Sequence, residues 1–249
     1  MTEHDEFHAL LREDLHAFVV WAYTVLNPGE MDFQDNWHIH ALVYHLMKCY
    51  RGEIRRLVIT MPPRSLKSQC VSVAFVAWVL GRHPNKKFIC ASYGEKPSDM
   101  LAKQTRALMT HPDYLKAFPE TRFADCSPLD MMNTTAHGVR MATSVSGAAT
   151  GFGCDFVIAD DLTKADATSA ERAKAASFYQ TSLLSRFNKK IKGVAIVVAQ
   201  RTAVDDLPGF FARPRRLRAP QPAGHRAGRR EDRGRRWGIP LSPQRRCSP

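Results

Sequence analysis

The sequence predicts an α/β domain with a mostly parallel central sheet flanked by helices. Short apolar runs of strand length alternate along the chain with longer segments of helical periodicity, as in repeated strand–helix–strand units. The strand-length runs are apolar throughout, which is typical of parallel strands that are covered on both faces. With 249 residues, 44% of them apolar and 24% charged, the chain can bury a substantial core.

The elements follow from these patterns in chain order. Helical spacing predicts helices over residues 10–26, 37–50, 68–80, 96–109 and 169–186, the third of them ended by Gly81 and Pro84. Apolar runs predict strands over residues 56–61, 87–93, 155–160 and 193–199. Between residues 110 and 153 only strand-like pieces without clear bounds are visible. Three tryptophans, Trp21, Trp37 and Trp78, are assigned to the core.

The formal charge of +12 is concentrated at the C-terminus. Residues 211–249 hold 12 arginines, no lysine and two acids, a balance of +10, which leaves +2 for residues 1–210. This Arg-, Pro-, Gly- and Ala-rich tail is predicted to be disordered. Its composition favours out-of-frame translation of a GC-rich gene; a nucleic-acid-binding arm and plain solvated disorder are the alternatives. We therefore divide the chain into a helical segment (1–29), an α/β domain (30–210) and a tail (211–249).

The cysteines and histidines show no metal-binding spacing. The six cysteines form no C-x-x-C pair, which indicates reduced structural thiols, and a zinc site is not expected. His38, His40 and His45 are assigned to the polar face of a helix. No apolar run is long enough to span a membrane, and the acidic N-terminus lacks the basic start of a signal peptide. A cytoplasmic protein without a membrane partner is expected.

One motif connects the first predicted strand to the helix that follows it. Residues 61–68, Met-Pro-Pro-Arg-Ser-Leu-Lys-Ser, have the strand–loop–helix placement of a phosphate-binding loop. Lys67 would supply positive charge to the β- and γ-phosphates, and the Ser68 hydroxyl would bind Mg²⁺. Met61 and Leu66 occupy both glycine positions of the usual pattern. An ordinary helix start therefore explains this segment, taken alone, about as well.

A second motif is a strand that ends in two acids, Asp160 and Asp161. Asp160 would hold Mg²⁺ through water, and Asp161 would orient or deprotonate the attacking water, since adjacent carboxylates repel unless a cation is bound. The alternative is a helix cap provided by Asp161 or Asp166. The spacing from Lys67 to Asp160 suits many ATPases, so the two motifs together favour a P-loop NTPase.

In order along the chain, these motifs resemble the ATPase domain of tailed-phage terminase large subunits. The resemblance covers about residues 30–210. It rests on Gln34-x-x-Trp37-His38, Pro62-Pro63-Arg64-x-x-Lys67-Ser68, the stretches 91–93, 143–147, 150–153 and 158–161 with the helix after it, and residues 200–209. Thr202-Ala203 stands where the family usually has Trp-His.

The resemblance implies an ATP hydrolase that uses Mg²⁺ to drive packaging of double-stranded DNA into a procapsid, in the cytoplasm of a bacterial host. It implies as partners the portal protein, the terminase small subunit and further copies in a homo-oligomeric ring. The residues implied to contact the nucleotide are Gln34 (reading adenine), Pro63, Arg64, Ser65, Lys67 and Ser68. Those implied to hold Mg²⁺ are Ser68 and Asp160, and those implied in catalysis are Asp161, Arg64 and Arg201.

Three of these residues also have a simpler interpretation. Gln34 could be a polar loop residue, and Arg64 a surface arginine after a Pro-Pro turn. Arg201 could pair with Asp205 or Asp206 rather than sense the γ-phosphate.

The family also has a C-terminal nuclease domain with a cluster of metal-binding acids. Only 40 residues follow Gly209, and they hold two acids, so no nuclease activity is expected in this chain. The expectation is an ATPase domain truncated or frameshifted before the nuclease. A helicase-like DNA-dependent ATPase and an inactive prophage remnant are the alternatives.

Overall fold

The computed structural model describes residues 3–29, 32–124, 128–147 and 151–212, and most of the predicted tail lies outside these ranges. Three helices come first: α1 (Glu3–Glu13), α2 (Leu15–Leu26) and α3 (Trp37–Tyr50). α3 has the predicted bounds. The single helix predicted over 10–26 is instead two helices that meet at Asp14, whose carboxylate accepts a hydrogen bond from the Ala17 amide (3.0 Å) and so caps α2.

The strands that the structure describes are β1 (Arg56–Thr60), β2 (Lys87–Ser92), β3 (Met131–Asn133), β4 (Val139–Ser144), β5 (Phe156–Asp160) and β6 (Val194–Ala199). They form one sheet in the order β1-β6-β5-β2-β4-β3. All neighbouring pairs are parallel except β3 with β4, which are antiparallel at one edge. The predicted α/β class with a mostly parallel sheet is confirmed.

Two of the predicted helices contain changes of helical type. The segment after β1 is π-helical over Gln69–Phe75 and continues as α4 (Val76–Arg82). The segment after β5 begins as α7 (Ser169–Ser177) and continues as a π-helical turn (Phe178–Leu183) and a 3₁₀ turn (Leu184–Arg186). The remaining helices are α5 (Glu95–Thr110), α6 (Pro112–Ala117) and α8 (Leu207–Ala212).

Helices cover both faces of the sheet. Alternate strand residues, among them Cys90, Ile158 and Ile196, pack against α4, α5 and the N-terminal helices. The intervening residues, among them Val157 and Val197, pack against α7 and the π-helical turn that follows it; the buried members of that turn are Phe178, Tyr179 and Leu183. This two-sided burial explains the apolar character of the central strands β5 and β6.

The placement of the tryptophans is predicted correctly in two cases out of three. Trp21 and Trp78 are buried, and the Trp78 indole N–H donates to the carbonyl of Leu11 (3.2 Å). Trp37 is 77% exposed, so its assignment to the core is wrong. α3 turns Ile39, Leu42, Leu46 and Cys49 to the core, and Trp37 begins the opposite face.

β4 is the interior strand that the sequence pattern does not reveal. It is buried along its whole length, yet Arg140 interrupts its apolar character. The Arg140 guanidinium is fully buried, and this burial lowers the pKa of Arg140 although Cys90 and Asp99 act to raise it. A central arginine is uncommon in a buried strand, so the apolar-run criterion fails here.

Among the described residues no helix is both long and apolar enough to cross a bilayer.

Gly81 does not end its helix, as the sequence suggested, but lies one residue inside the end of α4. A Cβ atom at this position would stand 2.6 Å from the ring of Phe118, which is buried. Close packing against this ring therefore accounts for the glycine.

We expect Gly81→Ala to lower the free energy of unfolding by about 1–3 kcal/mol, because the added methyl group would overpack the contact with Phe118. Urea unfolding of wild type and variant measures this cost. A Phe118→Leu background serves as the control, since a smaller side chain leaves room for the methyl group and the cost should shrink there. An equal cost in both backgrounds would contradict the steric explanation.

Candidate functional site

The two sequence motifs meet at the carboxyl end of the sheet. β6 lies between β1 and β5, so the ends of β1 and β5 are about 10 Å apart, twice the usual strand spacing. Side chains of the loop after β1 span this distance. The Ser68 hydroxyl donates a hydrogen bond to Oδ1 of Asp160 (2.9 Å), although 92 residues separate the two in sequence.

Asp160 is a buried carboxylate held by two hydroxyls. Its second oxygen accepts a hydrogen bond from Ser72, a contact that sequence analysis missed. Ser72 stands four residues after Ser68 in a helical segment, and this spacing puts both hydroxyls on one face of the helix. Burial raises the pKa of Asp160 to about 6; the charge of Asp161 adds to the rise, and the two hydroxyls and Lys67 oppose it.

Lys67 lies against the second acid. Its ammonium is 3.4 Å from Oδ2 of Asp161, and the lysine side chain is almost completely buried, whereas Asp161 is about one-third exposed. A buried ammonium needs a counter-charge, and Asp161 provides it. The loop and the end of β5 are thus connected by two contacts between side chains, Ser68 with Asp160 and Lys67 with Asp161.

The backbone fixes Asp161 in an unusual conformation. Its φ of 44° lies in the left-handed region, which aspartate tolerates better than most residues. The Asp161 amide donates to the carbonyl of Val198 (2.8 Å), and its carboxylate accepts from the amide of Gln200 (3.1 Å). A depression of about 180 Å³ beside Asp161 is lined also by Tyr93, Thr163, Lys164, Ala165, Gln200 and Thr202. Its volume is enough for several water molecules.

The loop itself has the backbone shape that glycines usually provide. Arg64 and Leu66 have φ values of 61° and 58°, and Leu66 occupies the second glycine position of the usual phosphate-loop pattern. Left-handed residues among right-handed ones turn successive amide groups toward a common concavity that favours anions. The Ser65 hydroxyl donates to the carbonyl of Pro62 (2.8 Å) and closes the turn. The missing glycines therefore do not prevent the loop shape, although a left-handed leucine is strained.

Arg201 takes part in a local ion pair. Its Nε lies 3.0 Å from Oδ1 of Asp206, as in the simpler of the two interpretations given for it. Although burial acts to raise it, the pKa of Asp206 lies below its ordinary value, because backbone amides and Arg201 stabilise the carboxylate. The amides belong to Gly209, Thr202 and Ala203. Next to this turn, Nε of Arg172 in α7 lies 2.8 Å from Oδ1 of Asp205.

The remaining candidate residues stand apart from these contacts. Gln34 is exposed, and its side-chain amide donates to the carbonyl of Asp32 (3.3 Å). Pro63 and Arg64 are exposed on the loop. In the part of the chain that the structure describes, neither Gln34 nor Arg64 forms a hydrogen bond or ion pair with Lys67, Ser68 or the two acids.

The donor atoms at the loop are of the type that Mg²⁺ and phosphate require. Ser68 and Asp160 offer a hydroxyl and a carboxylate oxygen, the hard ligands that Mg²⁺ prefers. Lys67 offers an ammonium, and the amides of the loop offer further hydrogen-bond donors. The residues present therefore fit a magnesium–polyphosphate ligand at this edge of the sheet.

A larger cavity, of about 730 Å³, lies at the other end of the strands. Its wall includes residues that begin the strands or precede them, such as Arg55, Asp155 and Val194. The cationic side chains that line it are Arg51, Arg55, Lys86, Lys189 and Lys192, and Asp155 is the acid among the lining residues. The two sequence motifs and the larger cavity thus lie at opposite ends of the sheet.

No protein-family model matches this chain, and no curated protein sequence matches it. Among solved structures, the chain is similar to the crystal structure of the HK97 bacteriophage large terminase, with a TM-score of 0.49 and 12% sequence identity. The similar region covers 85% of this chain and 40% of that one. The chain thus spans less than half the length of that protein.

The raised pKa of Asp160 predicts a pH dependence of stability. The unfolded chain loses this proton near pH 4, whereas the folded protein keeps it to about pH 6. Between these values the folded state binds more protons, so its stability falls as the pH rises. Asparagine has no carboxyl proton to lose, so this fall in stability with rising pH is absent in Asp160→Asn. We expect the variant, relative to wild type, to gain up to about 3 kcal/mol between pH 4 and pH 7.

Urea unfolding at several pH values in the presence of EDTA measures this difference. Asp166→Asn, at an exposed carboxylate, is the matched control for the loss of one negative charge. A difference between Asp160→Asn and wild type that stays constant over this pH range would contradict the raised pKa.

Proposed function

We propose that this chain is an ATPase domain of the terminase large subunit type, which hydrolyses ATP with Mg²⁺ to drive packaging of double-stranded DNA. The observation that carries the ATPase proposal is the convergence of Lys67 and Ser68 on Asp161 and Asp160 at one end of the sheet. Two motifs that are far apart in sequence therefore meet at one point. The loop had been assigned separately to the binding of phosphate and Mg²⁺, and the two acids to Mg²⁺ and the attacking water. The resemblance of the ordered motifs supports the terminase type.

Ser68 and Asp160 are the proposed magnesium ligands, directly or through water. When bound, Mg²⁺ would offset negative charge on the β- and γ-phosphates. Ser72 then positions the Asp160 carboxylate, because its hydroxyl already holds the second oxygen. The amides of the loop with left-handed Arg64 and Leu66 would donate hydrogen bonds to the phosphates.

Lys67 and Asp161 are proposed to change partners when ATP binds. In the ligand-free chain they pair with each other at 3.4 Å. The γ-phosphate would attract the Lys67 ammonium, since the triphosphate carries several negative charges and Asp161 only one. This exchange leaves Asp161 able to accept a hydrogen bond from water in the adjacent depression. In-line attack of that water on the γ-phosphorus then breaks the bond to the β-phosphate.

Three variants separate these roles. We expect Lys67→Ala to weaken ATP binding and abolish turnover, and Asp160→Asn to weaken the Mg²⁺-dependent part of binding. Asp161→Asn should bind ATP about as well as wild type, because Lys67 pairs with the γ-phosphate in the bound state, and should hydrolyse it at least about tenfold more slowly, because the orientation of water is lost. Titration calorimetry with Mg-ATP and a phosphate-release assay measure both properties.

Lys103→Ala, at an exposed lysine of α5, is the matched control and should behave as wild type. Unchanged hydrolysis in a folded Lys67→Ala protein would rule out the phosphate-loop assignment. If wild type binds no nucleotide, the chain is the inactive remnant.

The basic cavity supports double-stranded DNA as a partner. Five cationic side chains converge on a concave surface with one acid among them, and closely spaced cations bind the phosphates of nucleic acid by releasing counterions. Lys189 and Lys192 belong to the exposed turn between the 3₁₀ turn and β6, where a rod-shaped ligand could reach them. The portal protein, the terminase small subunit and a homo-oligomeric ring are proposals that rest on the motif resemblance alone.

We expect Lys189→Glu combined with Lys192→Glu to weaken DNA binding about tenfold or more near 0.1 M salt. If both lysines contact phosphates, the slope of log affinity against log salt should become shallower by about 2. Fluorescence anisotropy with a labelled duplex, at several salt concentrations, measures affinity and slope on the full-length chain.

Lys103→Glu combined with Lys116→Glu changes the net charge equally at exposed positions outside the cavity and is the matched control. The 12 arginines of the tail are present in both proteins, so they contribute equally. Equal losses in the two variants would place DNA binding elsewhere.

A further inference from the structure

A second cluster of possible metal ligands lies outside the nucleotide site. It consists of His16 in α2, Asp35 in the segment before α3, and His40 in the first turns of α3. One ligand atom from each residue lies within 4.8 Å of the others. None of the three belongs to the phosphate loop or to the acidic motif.

Two of the distances within the cluster match those between neighbouring ligands of one metal ion. Nε2 of His16 is 3.1 Å from Oδ1 of Asp35, and Nε2 of His40 is 3.0 Å from Oδ2. Metal–nitrogen and metal–oxygen bonds of about 2.0–2.2 Å at tetrahedral or octahedral angles place adjacent donor atoms about 3–3.5 Å apart. A metal ion lies near the plane of each imidazole that binds it, so the two rings would rotate to face one divalent ion.

The two imidazoles stack on each other beside one carboxylate. Their ring centroids are 4.3 Å apart and their planes differ by 13°. The Nε2 atom of each ring faces a different oxygen of Asp35, so one carboxylate holds both nitrogens close together.

The backbone around the cluster is held in place by packing. On α2, Leu15 and Val19 are buried on either side of His16 in sequence, and on α3 the buried Ile39 precedes His40. The segment with Asp35 is anchored by Phe33, whose ring contacts Tyr23 of α2 edge-on (5.4 Å). Because the backbone that carries the three residues is already fixed, less conformational entropy is lost when they bind an ion.

We propose that His16, Asp35 and His40 form a binding site for a divalent transition-metal ion of the zinc type. Two imidazoles and one carboxylate suit Zn²⁺, Co²⁺ or Ni²⁺ rather than Mg²⁺. The side chains are 25–58% exposed, so water fills the remaining coordination positions. The bound ion would join α2, α3 and the segment between them, and so would stabilise this end of the fold.

Titration of the full-length protein with Co²⁺ tests this site directly, because Co²⁺ bound by imidazole gives visible absorption bands that the hydrated ion lacks. Excess Mg²⁺ is included to occupy the oxygen ligands of the nucleotide site. We expect one equivalent of Co²⁺ to bind to wild type, and at least tenfold weaker binding to His40→Ala and to His16→Ala.

His45→Ala is the matched control. His45 is an exposed histidine of the same helix whose Nδ1 lies 2.8 Å from the carbonyl of Ala41, and its loss should leave Co²⁺ binding unchanged. In wild type, Zn²⁺ at a hundredfold excess over its Kd should also raise the melting temperature by about 5–10 °C.

A measurement on the unmodified chain covers the case in which the variants fail to fold. Zn²⁺ should slow modification of His16 and His40 by diethylpyrocarbonate, read out by mass spectrometry, and should leave His45 reactive. Absence of the Co²⁺ bands in wild type, equal protection of all three histidines, or wild-type affinity in a folded His40→Ala protein would each overturn the proposal. The cluster would then be a carboxylate that bridges two imidazoles only.

Discussion

The candidate site depends on one buried carboxylate. Asp160 ends a strand that is covered on both faces, and two hydroxyls of the segment after β1 hold its oxygens. Burial of a carboxylate is costly unless its hydrogen bonds are satisfied, so the helix that carries Ser68 and Ser72 is tied to the end of β5. The position of the loop after β1 follows from this contact, because Lys67 immediately precedes Ser68 and reaches Asp161.

The sheet separates two kinds of chemistry. Its carboxyl end carries the acids, the lysine and the loop with two left-handed residues, whereas its amino end carries the basic cavity. The parallel strands all point the same way, so the loops that follow them lie at the carboxyl end of the sheet and the loops that precede them lie at its amino end. A motor domain of the proposed type needs a nucleotide site and a contact with DNA, and this separation would let both be occupied together.

The sequence was informative where one physical criterion decided the outcome. Apolar runs revealed β2, β5 and β6, since these strands are buried on both faces, and they revealed β1 although only Ile59 of this edge strand is buried. The same criterion failed for β4, where Arg140 is buried in the interior. Lys67, Ser68, Asp160 and Asp161 were found because each lies next to an apolar strand or helix start. The Ser72 contact and the cluster of His16, Asp35 and His40 depend on tertiary packing, which no local spacing encodes.

Hydrogen–deuterium exchange with and without a non-hydrolysable Mg-ATP analogue tests where the nucleotide binds, because it locates the nucleotide without any substitution. We expect slower exchange in residues 61–72 and 158–164, with little change around the basic cavity. Exchange that is unchanged in both segments at saturating analogue, or slowed only elsewhere in the chain, would contradict the assignment of the nucleotide site to the carboxyl end of the sheet.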